Sequence, residues 1–369
     1  MNKQFGYTFP AIRGVQAGRE FYVSMCPLRL LPKLFLFDEV ELVPELRAQR
    51  QLNKVRLPEI ARYIVENDES YTFSAITASI DADVEFVQAS GLDDIGSLYV
   101  PMSARFIIND GQHRRAAIEM ALRERPELAD ETIAVVFFLD RGLSRCQQMF
   151  ADLNRYAIRP SPSLSMLYDH RDEYAQLSRY VVNELPGLRP LVEMERSSLS
   201  KGSRALLTLS AMGNANRALL QHSAGERVDQ PSEAIALAFW DALFRFLPDW
   251  RDVRAGERTA SAVRKRSIHS HAVMLHALGR VGNAALVDHG RDVAWSERLA
   301  GLSEIDWDRD ASHWQGRAVT GGNVNKSYKN VALTTGYIKE RLGLPLTPEE
   351  DRAEFTSSAD KAEGKRNAA

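Results

Sequence analysis

Cysteine is scarce in this chain. Cys26 and Cys146 are the only two among 369 residues, and no Cys-x-x-Cys pair occurs. A disulfide framework and a cysteine-built zinc or iron–sulfur centre are therefore not expected. Such usage fits a reducing cytoplasm, and each thiol is expected as a small buried hydrophobe or a quiet surface group, not a redox reporter. Long apolar runs are also missing. The longest, such as Ile133 to Leu139, are strand-sized, well short of the roughly 20 apolar residues of a membrane span. The opening Met1-Asn2-Lys3-Gln4-Phe5-Gly6 lacks the apolar run of a secretory leader. These absences predict a cytoplasmic protein with no membrane contact. Neither charge is in excess, since 47 Lys+Arg face 49 Asp+Glu for a net charge of −2. Bulk electrostatic coating of nucleic acid is excluded, whereas local basic faces are not. Lysine is itself scarce, at 10 of the basic residues. The arginine excess reads first as genomic base composition and second as selection for bidentate phosphate contacts.

What is present is ordinary globular composition, 44% hydrophobic and 26% charged, at a length that suggests two or three domains. The first 30 residues read as β, with β-prone runs at Tyr7–Phe9 and Glu20–Met25 around a turn at Arg13–Arg19. Pro58 then suits the first turn of a helix in which Ile60, Tyr63 and Ile64 share a face. Strands are expected at Phe73–Ala78, Arg105–Asn109 and Ile133–Leu139, with a helix over Arg114–Arg125 and a short one over Cys146–Asn154. Beyond a Pro/Ser boundary at Pro160–Ser163 the pattern is helical, at Asp172–Leu185, Ser203–Gln221, Ser232–Phe246, Ser267–Leu278 and Thr334–Leu342. The expected class is α+β: a mixed α/β domain over 1–160, a mainly helical domain over 161–346, and a disordered polar tail over 347–369.

The sharpest signal is Asn109-Asp110-Gly111-Gln112-His113-Arg114-Arg115, set between an apolar strand and an amphipathic helix. Gly111 permits a tight turn and close approach of a ligand to the main chain. The helix start offers unpaired N–H groups, a ready anion site. Arg114 and Arg115 point about 100° apart on a helix, so one is expected to face the ligand and the other to make a supporting ion pair. His113 can donate to phosphate and can gain charge near neutral pH. Asp110 can either hold Mg²⁺ beside a phosphate or orient an arginine. The plainer alternative makes Asp110 a turn residue, Gln112 a cap and the arginines a solvated face.

Asp110-Gly111-Gln112-His113-Arg114 is the signature of DGQHR-motif proteins, and the surrounding sequence resembles the DndB family of DNA sulfur modification proteins. The resemblance runs through Tyr22–Leu28, Arg47–Asn53, Arg56–Ile64, Phe73–Ile80, Phe150–Asn154, Leu207–Ala211 and Val331 to Leu344. It implies a role beside the machinery that exchanges a DNA backbone oxygen for sulfur. The implied role is that of a regulator, including a DNA-binding repressor of the modification operon, and not that of the desulfurase or the sulfur-inserting enzymes. Double-stranded operator DNA, a homo-oligomer and other sulfur modification proteins are the implied partners. A related DNA-base modification system also uses DGQHR proteins, which leaves the pathway open. More distantly, the N-terminal half is similar to the ParB/sulfiredoxin group, which binds nucleotide phosphates at a comparable turn with help from an earlier arginine. That likeness implies a site of Arg56, Gly111, Gln112, His113, Arg114, Arg115 and Asn154, to which the reading of the residues adds Asp110, with ATP or CTP and Mg as the expected ligands. Two departures stand out: the spacing of Asn154-Arg155 differs, and Asp-Gly-Gln-His-Arg replaces a Glu-Arg-Arg form. The nucleotide identity therefore does not carry over.

Two further segments carry charge. Arg251–Arg280 holds seven basic residues against Asp252 and Glu257, and Arg264-Lys265-Arg266 is expected just before a helix bearing His269, His271 and His276. That placement suits a DNA backbone or groove, against the alternative of a solvated face. No metal site is expected there, because His271 and His276 stand five apart without the Glu of H-E-x-x-H. Ser197–Arg204 reads as a second phosphate-contacting loop, with Arg204 as its candidate contact, although it lacks the P-loop pattern. The basic stretch from Gly316-Arg317 to Lys329 reads either as a backbone contact or as a plain turn.

Overall fold

The computed structural model describes residues 5–35, 55–139, 143–155, 159–222, 227–289 and 293–356. The chain divides into two compact units, Met1–Ile158 and Arg159–Ala369. The first is mixed α and β and the second mostly helical, in line with the expected α+β class.

In the first unit, β1 (Gly6–Gln16) and β2 (Arg19–Pro27) form a hairpin. Its two-residue turn, Ala17-Gly18, takes positive φ at both positions, 51° and 72°, the handedness that matches strand twist. The strands thus run through much of the segment expected as turn. Next come α1 (Leu31–Leu34), α2 (Leu57–Glu66) and β3 (Ile76–Asp81), then the hairpin of β4 (Glu85–Ala89) and β5 (Leu92–Pro101). The unit closes with β6 (Arg105–Asp110), α3 (Gln112–Glu124), β7 (Thr132–Leu139) and α4 (Leu143–Arg155). The strands make one sheet in the order β4-β5-β1-β2-β7-β3-β6. Only the β3–β7 pairing is parallel among these neighbours. Alternate residues Ile133, Val135 and Phe137 of β7 are buried, the period-2 pattern of a sheet with one packed face. Ile76, Ala78 and Ile80 of β3 join them against Ala117, Ile118 and Ala121 of α3 and Ile64 of α2. The strand expected from Phe73 begins instead at Ile76, because the Phe73 ring packs against Tyr63 and Tyr71, 5.9 and 5.7 Å between centroids.

The second unit is built on α5 (Pro162–Tyr168), α6 (Glu173–Glu184), α7 (Leu209–Leu220), α8 (Gln230–Phe246), α9 (Pro248–Ala255), α10 (Ala260–Arg266), α11 (Ala272–His289) and α12 (Tyr328–Leu342). The helix expected from Ser203 starts at Leu209. Leu207–Thr208 pairs in parallel with Val192–Glu193, and the Thr208 hydroxyl caps the Ala211 N–H. A second correction concerns Arg264–Arg266, which form the last turn of α10 and do not lead into α11. A third concerns the tail. Residues 348–356 form a further helix, α13. Buried Glu350 ties it to buried Lys339 at 2.8 Å, so part of a segment that is polar in composition is helical and docked; residues 357–369 lie outside the described residues. Helices α7 and α11 approach closely at Gly279, where an added Cβ would stand 2.4 Å from the Ala215 carbonyl oxygen. Trp240 and Trp250 are fully buried, and each indole N–H finds an acceptor, on Asn216 Oδ1 at 2.7 Å and His269 Nδ1 at 3.1 Å. His269 Nε2 in turn meets Asp249 Oδ2 at 2.9 Å. This histidine is therefore a satisfied core group. Among the described residues no helix is long and apolar enough to cross a membrane.

Candidate functional site

The first candidate lies where edge strand β6 meets α3. Gly111 takes φ 109° and ψ 13° at the helix N-cap, a left-handed backbone that glycine adopts at little cost. Its carbonyl accepts from the Arg115 N–H at 2.9 Å, closing the first helical turn. An added Cβ would sit 3.0 Å from Ile76 Cγ1 and 3.1 Å from Arg114 Nη2, so a larger residue would have to push both side chains back as well as hold the left-handed backbone. Arg114 Nη2 donates to Asp110 Oδ2 at 2.7 Å and to the Ala75 carbonyl at 3.1 Å. Its Nε is buried with no hydrogen-bond partner among the described residues. Of the two roles read for Asp110, the structure shows the orientation of an arginine.

His113 stands half-buried beside this pair. Burial lowers its pKa first, then the charges of Arg56 and Arg114, with Asp110 opposing. Arg56 is the exposed residue before α2, more than fifty positions earlier in sequence, and its charge is among those that act on His113. Arg56 and Arg114 thus gather positive potential around a neutral His113, at a helix start whose N–H groups add to it. The other two candidates turn inward. Gln112 is buried, with Nε2 at 3.4 Å from the Ile108 carbonyl. Arg115 is 6% exposed and donates to Glu119 Oε2 at 2.7 Å and to the Pro32 carbonyl at 3.3 Å. Asn154 lies in α4, and its side chain is outside the described residues. Asn109 opens the motif, but its partners were not legible in sequence: buried, it donates to Ser79 Oγ at 2.7 Å and to Met149 Sδ at 3.1 Å at the strand end beneath the turn.

The second candidate joins the two basic segments of the helical unit. Arg264, on α10, reaches the loop after Ser197. Its Nη2 donates to the Ser200 carbonyl at 2.8 Å, and its Nη1 to the Ser203 carbonyl at 3.1 Å and to that of Ala205. Arg264 is therefore a loop anchor, because its donors are spent on main-chain acceptors. Lys201 and Arg204 of the anchored loop, and Lys265 beside the anchor, are exposed. They make no ion pair among the described residues, whereas Arg266 pairs with Asp308 at 3.1 Å. At the base of the loop, Ser163, Ser197 and Ser210 hydroxyls lie 3.0–3.3 Å from one another, tying α5, the loop and α7 together.

A family model described as DndB, DNA-sulfur modification-associated, matches residues 9–345. No curated protein and no solved structure matches the chain.

Proposed function

The chain belongs to the DndB family, which is associated with DNA sulfur modification, and from that premise we propose that it is a DNA-binding regulator, a repressor, of a phosphorothioate modification system. The observation that carries this reading is the loop held by Arg264: Lys201 and Arg204 on that loop and Lys265 on α10 beside it are exposed, without carboxylate partners among the described residues. Unneutralised cations on an ordered scaffold suit a phosphate backbone. The N-terminal unit would contribute the Arg56/Asp110–Arg115 turn, and the helical unit the backbone contacts and a self-association surface. A repressor reading a two-fold operator is expected to be a symmetric oligomer, working in the cytoplasm beside other sulfur modification proteins. The test is operator binding measured against salt. Affinity should fall linearly on a log–log plot, by roughly 0.9 of slope for each phosphate neutralised. A salt-independent affinity would remove the proposal.

A second reading rests on the left-handed Gly111 at the start of α3, with Arg56, His113 and Arg114 around it. It makes the turn a nucleotide phosphate site, for ATP or CTP, with slow hydrolysis gating DNA binding. Asp110 is engaged by Arg114, so Mg²⁺ there would depend on phosphate oxygens for most of its ligands. Calorimetric titration with each nucleotide, on the native chain and on Arg114→Ala, separates the two readings. Equal or absent binding in both chains would remove the second.

A further inference from the structure

The helical unit contains a cleft of ≈ 730 Å³ that neither phosphate candidate uses. Its walls come from α7, α11, α12 and α13, elements scattered over more than a hundred residues of sequence. That volume lies in the range of small-molecule sites, but the lining is polar. Arg217, Arg280, Lys339 and Arg352 face it with only Glu349 and Glu350 as carboxylates, and Asn214, Gln221 and Asn283 supply amides. Both acids are already engaged. Glu350 accepts from Lys339 and from the Thr347 N–H at 2.8 Å each, and Glu349 accepts from Arg280 at 3.1 Å. Arg217 pairs outward with Asp172. Exposed Arg352 has no ion pair among the described residues.

His276 sharpens the picture. It lines the cleft, and its Nδ1 is buried with no hydrogen-bond partner among the described residues. Burial, then Lys326 and Arg280, push its pKa down to about 4, so a neutral imidazole, able to donate from one nitrogen and accept at the other, stands in a field of positive charge. Cations in excess over carboxylates, set in a polar concavity, favour a compact multivalent anion.

We propose that this cleft binds a small phosphorylated anion, between Arg280 and His276 of α11 on one side and Arg352 of α13 on the other. The site is separate from the Gly111 turn and does not depend on the regulatory reading. The folded-back α13 is what completes it.

The test is calorimetric titration of pyrophosphate, at constant ionic strength, into the full chain carrying Arg114→Ala, so that the turn adds no second site. Saturable binding at one site is expected. Arg280→Gln should weaken it about tenfold or more, the usual loss for a charged hydrogen bond. Because Arg280→Gln also frees Glu349, Arg352→Gln is the cleaner variant. It should weaken binding by a similar factor while leaving the melting temperature unchanged. Absent saturable binding, or binding that Arg352→Gln leaves intact, would overturn the proposal. So would displacement of pyrophosphate by a short DNA duplex, which would assign the cleft to the polymer backbone.

Discussion

The strand-to-helix turn of the first unit and the anchored loop of the second both set neighbouring cations to opposite tasks. At the turn, Arg115 goes inward to Glu119 and the Pro32 carbonyl while Arg114 stays partly exposed, held by Asp110 and the Ala75 carbonyl. At the loop, Arg264 goes inward to main-chain carbonyls while Lys265 stays outside. The outward members differ in one respect. Arg114 is oriented by a carboxylate, and Lys265 has no ion-pair partner among the described residues. A fixed arginine over a helix start defines one phosphate position and its geometry. Unpaired cations around a loop supply attraction without register. Under the proposed function, the turn would select and the loop would hold.

If the inward members are structural, removing them should cost stability before it costs binding. Arg264→Ala strips charged donors from several loop carbonyls, and we expect a loss of about 2 kcal/mol, read as a fall of roughly 4–8 °C in the melting temperature. Arg115→Ala should cost somewhat less, about 1–2 kcal/mol, because Glu119 keeps Arg123 as a partner at 2.8 Å. Thermal melts of the two variants beside Lys265→Ala and Arg114→Ala make the contrast direct. Outward variants that melt as low as the inward ones would break the comparison. Gly111→Ala comes next, at about 1–3 kcal/mol for a side chain forced into a left-handed backbone. It should also loosen any anion held at the turn, since the new methyl would push on Ile76 and Arg114.

How much of the fold and site is legible in sequence depends on whether the signal is local. The period-2 burial of β7 and the glycine turn before α3 are written in adjacent residues, and both can be read from them. The direction in which a basic residue points is not. Arg264, Lys265 and Arg266 look alike in sequence, and the segment reads as leading into a helix. In the fold it ends one, because the Thr259 hydroxyl caps α10 at the Ala262 N–H and the Ser267 N–H closes its last turn on the Val263 carbonyl. Only the position of a loop some sixty residues earlier decides which of the three becomes an anchor. The order of α13 is hidden for the same reason. Its composition is that of a tail, and the buried group it is tied to, Lys339, lies eleven positions before Glu350. The cleft beside it draws on four helices and leaves no motif.

The holding role proposed for the loop has a quantitative signature. Replacing Lys201, Arg204 and Lys265 together by alanine should flatten the salt dependence of DNA binding by roughly 0.9 of slope for each phosphate no longer neutralised, with affinity reduced similarly for operator and unrelated duplex. Arg114→Ala should change the slope by no more than one such step while altering the ratio of operator to unrelated binding. Both quantities come from the same set of titrations. An unchanged slope in the triple variant would place the backbone interactions elsewhere and leave the loop a solvated face.

The smallest expected effect tests the selecting side, through the titration of His113. Its pKa lies below the ordinary value because of burial, then Arg56, then Arg114, and Asp110 opposes them. Arg56→Gln should therefore raise it, and Asp110→Asn should lower it further, both read from the imidazole resonances in an NMR pH series. The sign for stability follows. A histidine whose folded pKa is depressed holds fewer protons folded than unfolded, so its contribution is lost as pH falls below the ordinary histidine value toward the folded one. Arg56→Gln should shrink that acid-side loss slightly. A phosphate bound at the turn works in the same direction, since its negative charge raises the His113 pKa while Arg56 and Arg114 hold it. If Arg56→Gln leaves the titration where it was, Arg56 is not part of the turn's field, and the site reduces to Asp110, Gly111, His113 and Arg114.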